Sequence, residues 1–524
     1  MSRLQFMGAA RMVTGSCYIL DCGQTRIMVD CGLFQGSKEV KEHNYGNFPF
    51  DPTGIDFLLL THAHIDHCGL IPKLYRHGFR GPILATEPTA DLCSVLLPDS
   101  ANIQEMEVER KNRKNRRAGR PLLQPIYTVE EARQCMKLFR PVTYDQVIEL
   151  APGLRARFYD AGHILGSAML KIWYEEGGRE LEVVFSGDIG NAGQPIVKDP
   201  AVLPGADFVV MESTYGSRLH QPNRDNLERL RQVIQETKAR GGNLLIPAFA
   251  VERTQDILLD LNILLQQGEI TPGDIYLDSP LAAAATDIFC RYVNYFDPQV
   301  QEMAAAGDGE CPLMLPGLHL VRTPEESISL NRLRGGAIII AGSGMCDAGR
   351  IKHHLKHNLW RPECTVLLVG FQAQGTLGRR LLEGEKVVRI HGEEVAVRAR
   401  IEQIEGFSAH ADQGGLLAWV KAMRRPPHHI FLIHGEEEAA RSLAELISRE
   451  TGIATSVPAW LDEVELPVAF PAKPAPAEVI SLAELEASYR QLQEELERWF
   501  KNRVEKGEFA TALQVMETLQ RELA

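Results

Sequence analysis

The sequence predicts an α/β fold, and three observations along its 524 residues predict it. Short apolar, β-branched runs recur; helix-like stretches separate them; and several runs end in a polar or ionisable cluster. Strand and helix alternating at this spacing read as largely buried sheets covered by helices. The carboxyl edge of such sheets is where ligands bind. The length and the 44% hydrophobic content suffice for two or three compact units.

In chain order the predicted strands are TRIMVD, DFLLLT, GPILAT, LRARFYDA, LEVVFSGD, DFVVMEST, NLLIPAF, DIYLDS, GAIIIAGS, TVLLVG and HIFLIHG. Polar or ionisable clusters close the second, fifth, sixth, ninth and last of these, as THAHIDH, FSGDIG, MESTYG, AGSGM and IHGEE, and ionisable clusters of the first kind resume only at SAHADQ (408–413) after a second set of strands and helices. That order suggests one α/β domain inserted into another between about 218 and 398. A Pro/Ala-rich stretch, 466–478, reads as a stiff linker. Beyond it Leu482, Leu485, Tyr489, Leu492, Leu496 and Trp499 follow a helix seam, and after Gly507 a second seam begins at Phe509. A helical hairpin or a dimerising helix fits.

The formal net charge of −13 argues against binding a polyanion through the summed field of the surface, so any nucleic-acid contact must be local. No run of roughly 18 apolar residues occurs and the N-terminus lacks a signal-peptide pattern, which reads as a soluble, cytoplasmic chain with no membrane contact. The ten scattered cysteines, without a CxxC pair, read as reduced core thiols.

The stretch LLLTHAHIDHCGL places His62, His64, Asp66 and His67 directly after a buried strand. A lone histidine near a strand is ordinarily a surface or hydrogen-bonded core residue. Four ligand-type side chains within six positions point instead to a metal, with alternate residues of an extended segment, His62 and His64, aimed at one point and Asp66 and His67 at its neighbour. Further ligands are expected from other strand ends: His163 in DAGHILGSA, Asp188 in FSGD and His434 in IHGE. Asp188 is the best placed to bridge two cations. A metal pair suits in-line displacement at phosphorus, and a histidine off the metals, held by a carboxylate, could protonate the leaving oxygen.

Together HAHIDH, AGHILGS, FSGDIG and IHGE resemble the metallo-β-lactamase fold, and PAFAVERTQDIL, LDSPLAAAAT, AGSGMCDAGR and FQAQGTLGRRL resemble the β-CASP domain of RNA-processing nucleases related to the cleavage and polyadenylation endonuclease. The resemblance spans about residues 1–460. It implies an αββα sandwich over 1–212 and 399–465 with a β-CASP insertion over 213–398, the linker 466–478 and a helical extension over 479–524. It implies two zinc ions per chain, with manganese as a substitute: one on His62, His64, His163 and Asp188, the other on Asp66, His67, Asp188 and His434. Asp30 in VDCG would orient the loop, Glu212 in MESTYG and His410 in SAHAD would form the carboxylate and proton donor, and Asp66 and Asp188 would share in catalysis.

The same resemblance implies hydrolysis of single-stranded RNA, with internal cleavage favoured over cleavage from an end; a homodimer is expected from the C-terminal helix seam, which could supply its contact. Ser343 and Gly344 in AGSGMCDAGR, with Arg350 nearby, could cradle a phosphate, and Arg379 and Arg380 could track the next ones. The basic run ERKNRKNRRAGRP (109–121) fits both a solvated helix face and an RNA-backbone contact. His353, His354 and His357 are expected on a helix surface. The alternatives are a small-molecule ester or thioester hydrolase, which would not need the inserted domain, and a zinc-bearing scaffold subunit, which would not need His410.

Overall fold

The computed structural model describes residues 2–220, 226–271, 273–306, 311–404, 408–467, 499–501 and 503. Two seven-stranded sheets form the hydrolase body. In spatial order the first comprises Glu463–Glu465, Arg3–Phe6, Tyr18–Cys22, Thr25–Val29, Phe57–Leu59, Ile83–Thr86 and Phe139–Val142. The second comprises Ala454–Ser456, His429–Ile433, Phe208–Glu212, Arg179–Phe185, Ala168–Glu176, Leu154–Asp160 and Val147–Ala151. Each sheet is part antiparallel and part parallel.

Inward-facing aromatics join the two sheets: Phe6 meets Phe431 with ring centroids 5.5 Å apart, and Tyr18 meets Phe185 at 6.1 Å. Burying each such ring contributes roughly 1.5–3 kcal/mol. The outer face of the first sheet packs Met28, Leu58 and Ile83 against helices Ile71–Arg76, Glu87–Arg117 and Val129–Cys135. Helices Gln413–Lys421 and Glu437–Thr451 cover the second through Leu416, Trp419, Leu443 and Ile447. The architecture is an αββα sandwich.

The inserted domain is a six-stranded, all-parallel sheet in the order Leu318–Leu320, Ile275–Leu277, Ile338–Ala341, Leu244–Pro247, Thr365–Val369 and Arg400–Ile404. Its strands alternate strictly. Leu244, Ile246, Ile338, Ile340 and Leu367 enter one core, while Leu245, Ile339, Ala341, Val366 and Leu368 enter the other, so helices on both faces bury a near-continuous apolar run. Since Arg400–Ile404 pairs in parallel with Thr365–Val369, the insertion runs through Ile404 and does not stop at 398. The expected boundary is corrected accordingly.

Two further expectations change. Cys290 and Cys311 are disulfide-bonded, their Cα atoms 5.3 Å apart, where ten free thiols were expected. His354 is fully buried and lies 2.5 Å from Asp278 Oδ2, so it is not a surface histidine. Among the described residues no helix is long and apolar enough to cross a membrane. The basic run occupies the exposed final turns of Glu87–Arg117 and the turn that follows. The linker beyond Pro467 and the C-terminal seams, with the dimer contact expected of them, lie outside the described residues apart from 499–501 and 503.

Candidate metal centre

The apolar strand Phe57–Leu59 ends in an extended turn, and the short helix Ile65–Cys68 starts just after His64. His62 and His64 therefore lie on the extended segment, while Asp66 and His67 ride the first helical turn. The turn is held against two neighbouring loops by Asp66 O accepting Ser16 N–H at 2.8 Å and His67 O accepting Cys31 N–H at 2.7 Å. Gly32 makes that contact sterically feasible, because a Cβ there would sit 1.6 Å from Asp66 O. Gly190 does the same across the cleft. A Cβ at Gly190 would meet Gly162 O at 1.7 Å, and its N–H donates to Ala161 O, which brings the Asp188 and His163 loops together.

His62, His64, His163 and Asp188 converge on one point. His62 Nε2 and His163 Nε2 each lie 3.1 Å from His64 Nδ1 and 3.5 Å from Asp188 Oδ2. Asp66, His67 and His434 form an adjoining set: His67 Nε2 is 3.1 Å from His434 Nε2 and 3.3 Å from Asp188 Oδ1, and His434 Nε2 is 3.5 Å from Asp66 Oδ2. Asp188 thus offers one oxygen to each set.

Outer hydrogen bonds decide which nitrogen faces inward. Thr61 Oγ1 gives its proton to Asp30 Oδ2 and so accepts His62 Nδ1–H at 3.1 Å. Asp30 also accepts His67 Nδ1–H at 2.7 Å and Thr61 N–H at 2.8 Å. Thr214 Oγ1 donates to His434 O and accepts His434 Nδ1–H at 3.0 Å, while His163 Nδ1–H meets Ala409 O at 3.3 Å. Each of these four rings turns its Nε2 inward. Thr61 and Thr214 were not singled out from sequence, although each sits beside a motif residue.

The donor set fits divalent cations. Ligand atoms 3.1–3.5 Å apart match the edge of roughly 3.3 Å of a tetrahedron with zinc–nitrogen bonds near 2 Å. Burial, the largest effect, holds His62 and His163 well below the ordinary histidine range and takes His64 down to about 4, so all three are neutral at pH 7 and free to ligate. His67 shifts the other way: burial opposes its charge, but the Asp188 and Asp30 carboxylates raise it, which marks a cradle built for positive charge. Asp188 Oδ1 is buried and has no hydrogen bond among the described residues. A cation would satisfy it.

His410 stands at the mouth of this cluster, its side chain 20% exposed. The segment around it pairs with the Asp188 loop through Ala411 N–H to Ile189 O and Asn191 N–H to Ala409 O. Its Nδ1 lies 3.2 Å from the fully buried Glu212, which Ile189 N–H also anchors at 2.6 Å, and its Nε2 lies 3.9 Å from Asp188 Oδ2.

The expected phosphate loop is less uniform. Ser343 and Gly344 lie in the turn after Ile338–Ala341, where Ser343 Oγ accepts Ala348 N–H. Arg350, expected beside a phosphate, is instead an internal anchor: its guanidinium pairs with Asp278 at 2.6 Å and donates to Val321 O and Arg322 O. Arg379 and Arg380 are half-exposed and paired with Glu383 and Glu385. Such exposed pairs are weak and exchange readily for another anion.

Replacing Asp30 by alanine is expected to lower metal affinity or activity about 10–100-fold, because His67 and the Thr61 hydroxyl lose their common acceptor. Equilibrium dialysis against zinc would measure it; parental affinity would exclude an orienting role.

A sandwich of two mixed sheets with a histidine–aspartate cluster at one edge defines a metallohydrolase. Three family models match in succession: a metallo-β-lactamase superfamily domain over 19–195, a β-CASP domain over 254–381, and a zinc-dependent metallo-hydrolase RNA specificity domain over 394–458. The chain is 40% identical over 447 residues to Ribonuclease TTHA0252 of Thermus thermophilus, covering 85% of this chain and 96% of that one. It is 31% identical over 473 residues to Transcription termination factor FttA of Methanocaldococcus jannaschii, covering 88% and 72% respectively. A solved protein of unknown function from Enterococcus faecalis shares the fold at TM-score 0.51 and 12% identity, over 89% of this chain and 100% of that one. The chain belongs to the β-CASP ribonuclease family of the metallo-β-lactamase superfamily, and it is a metal-dependent hydrolase.

Proposed function

We propose that this protein hydrolyses phosphodiester bonds of single-stranded RNA in the cytoplasm, internally in preference to from an end, with two zinc ions for which manganese can substitute. The observation that carries the reading is a pair of adjoining ligand sets sharing Asp188, with an additional histidine, His410, at their solvent-facing mouth. The relative named ribonuclease and the RNA specificity match support RNA as the substrate. His62, His64, His163, Asp188, Asp66, His67 and His434 would hold the cations. When bound, such cations activate water and offset charge on phosphate oxygens.

The remaining work falls to the chain. Asp30 and Thr61 keep His67 and His62 in one orientation. Glu212, itself fixed by Ile189 N–H, holds Nδ1 of His410 and stabilises its protonated form. His410 Nε2 then faces the cluster and can give its proton to the departing ribose oxygen.

RNA labelled at its 5′ end and, separately, at its 3′ end tests this against the Asp66→Ala/His67→Ala variant. Discrete internal fragments from the parent alone are expected. Mononucleotides released from one end would overturn the internal mode and assign a polarity, and unchanged RNA with zinc and manganese supplied would overturn the ribonuclease reading.

A further inference from the structure

Along the carboxyl edge of the inserted sheet, two phenylalanines stand in solvent, each next to a buried residue. Phe249 follows the strand Leu244–Pro247 and is 48% exposed; Phe371 follows Thr365–Val369 and is 52% exposed. A single exposed phenylalanine is ordinary. These two are tied to one residue. A Cβ on Gly344 would lie 2.9 Å from two carbons of the Phe249 ring, so the ring rests against that glycine. Gly344 O accepts the side-chain amide of the buried Gln372 at 3.0 Å, which anchors the neighbour of Phe371 at the same turn. Their strands are adjacent, and both loops are braced: Thr254 Oγ1 donates to Phe249 O at 2.6 Å and Gly370 N–H to Ile404 O at 3.0 Å.

The Phe249 loop also runs to the metal centre. Three residues on, the buried Glu252 accepts Leu165 N–H at 3.1 Å, two residues from His163. Three residues span at most about 11 Å.

We propose that Phe249 and Phe371 form a stacking shelf for nucleobases of the single-stranded RNA being cleaved, an assignment that rests on the ribonuclease reading above. Every base has a π face, so such a shelf is tolerant of sequence, and a paired strand keeps those faces covered. It also answers a problem set by charge. A chain of net charge −13 gains little from long-range attraction to phosphates and needs a contribution to affinity that is not electrostatic.

The test is binding of single-stranded RNA carrying 2-aminopurine to the full chain in the Asp66→Ala/His67→Ala background, which keeps the RNA intact. Phe249→Leu and Phe371→Leu should each weaken binding about tenfold and reduce the fluorescence quenching, and Phe→Trp should restore both. The dependence of affinity on salt should stay as in the background protein, because no phosphate contact is removed. An RNA of the same length made of abasic nucleotides should bind the background protein and the leucine variants alike. Parental affinity of both leucine variants for the base-bearing RNA overturns the shelf. So does an equal loss on abasic RNA, which would mark a defect of folding or loop position. Failure here leaves cleavage in the end-label assay untouched, whereas absence of that cleavage overturns the ribonuclease reading on its own readout.

Discussion

Replacing Asp188 by asparagine should abolish RNA cleavage and lower the metal content of the purified protein. The carboxylate reaches 3.5 Å from His62 and His163 with one oxygen and 3.3 Å from His67 with the other. An amide retains one acceptor oxygen, and its NH₂ group cannot ligate. The change also removes a negative charge buried among histidines, one that raises His67 and, after Glu212, also His410. Loss of several kcal/mol of charge stabilisation corresponds to roughly a 10³-fold fall in rate or more. Elemental analysis should find fewer than two metal ions per chain. Full retention of two would remove Asp188 as the bridge.

His410→Ala should behave differently, with metal content intact, KM little changed and kcat lower by about 10²–10⁴-fold, the range for loss of a positioned acid. Burial works against charge on His410, but Glu212 and then Asp188 push it up to about 9. A raised histidine is protonated below its pKa, so the donor is present at neutral pH and activity should fall as pH rises through that value. Bound cations draw on the Asp188 charge, which places this alkaline limb between the ordinary value of about 6.5 and about 9. Glu212→Gln should move the limb toward lower pH, and His410→Ala should erase it. The stability term has the same sign: whatever the charged His410 adds is full below about 6.5 and lost as pH rises through about 9. An unchanged pH profile in His410→Ala would reject it as the proton donor.

What could be read from sequence depended on the range over which each feature is encoded. His62, His64, Asp66 and His67 lie within six positions of one strand end, so their convergence is nearly a local property of an extended turn passing into a helix. The inserted sheet was legible through runs such as GAIIIAGS and TVLLVG, buried on both faces. Its last strand was not. In Arg400–Ile404 only Ile404 is fully buried, and the polar residues between the two isoleucines dilute the apolar signal, so the strand is recognisable only through its partner Thr365–Val369.

Charged residues were the least legible. Arg350 reads as a phosphate ligand beside a glycine turn until Asp278, 72 positions away, is found to hold it together with His354. The Cys290–Cys311 bond is equally non-local, since nothing in the spacing of ten scattered cysteines selects that pair. Phe249 and Phe371 lie within the motifs PAFAVERTQDIL and FQAQGTLGRRL, but their exposure was not legible, because an apolar residue after a strand is ordinarily core.

By itself, then, the sequence determined the α/β class and the inserted domain and marked the strand ends where histidines and aspartates gather, because alternation and strand-end chemistry are short-range properties of the chain. The tertiary structure decided which oxygen of Asp188 meets which histidine, which ring nitrogens face inward, where the insertion ends and which charges are already paired. Those depend on contacts between separate segments of the chain, from Gly190 on Gly162 to His434 on His67, 367 positions apart, where close packing and hydrogen bonding select one arrangement.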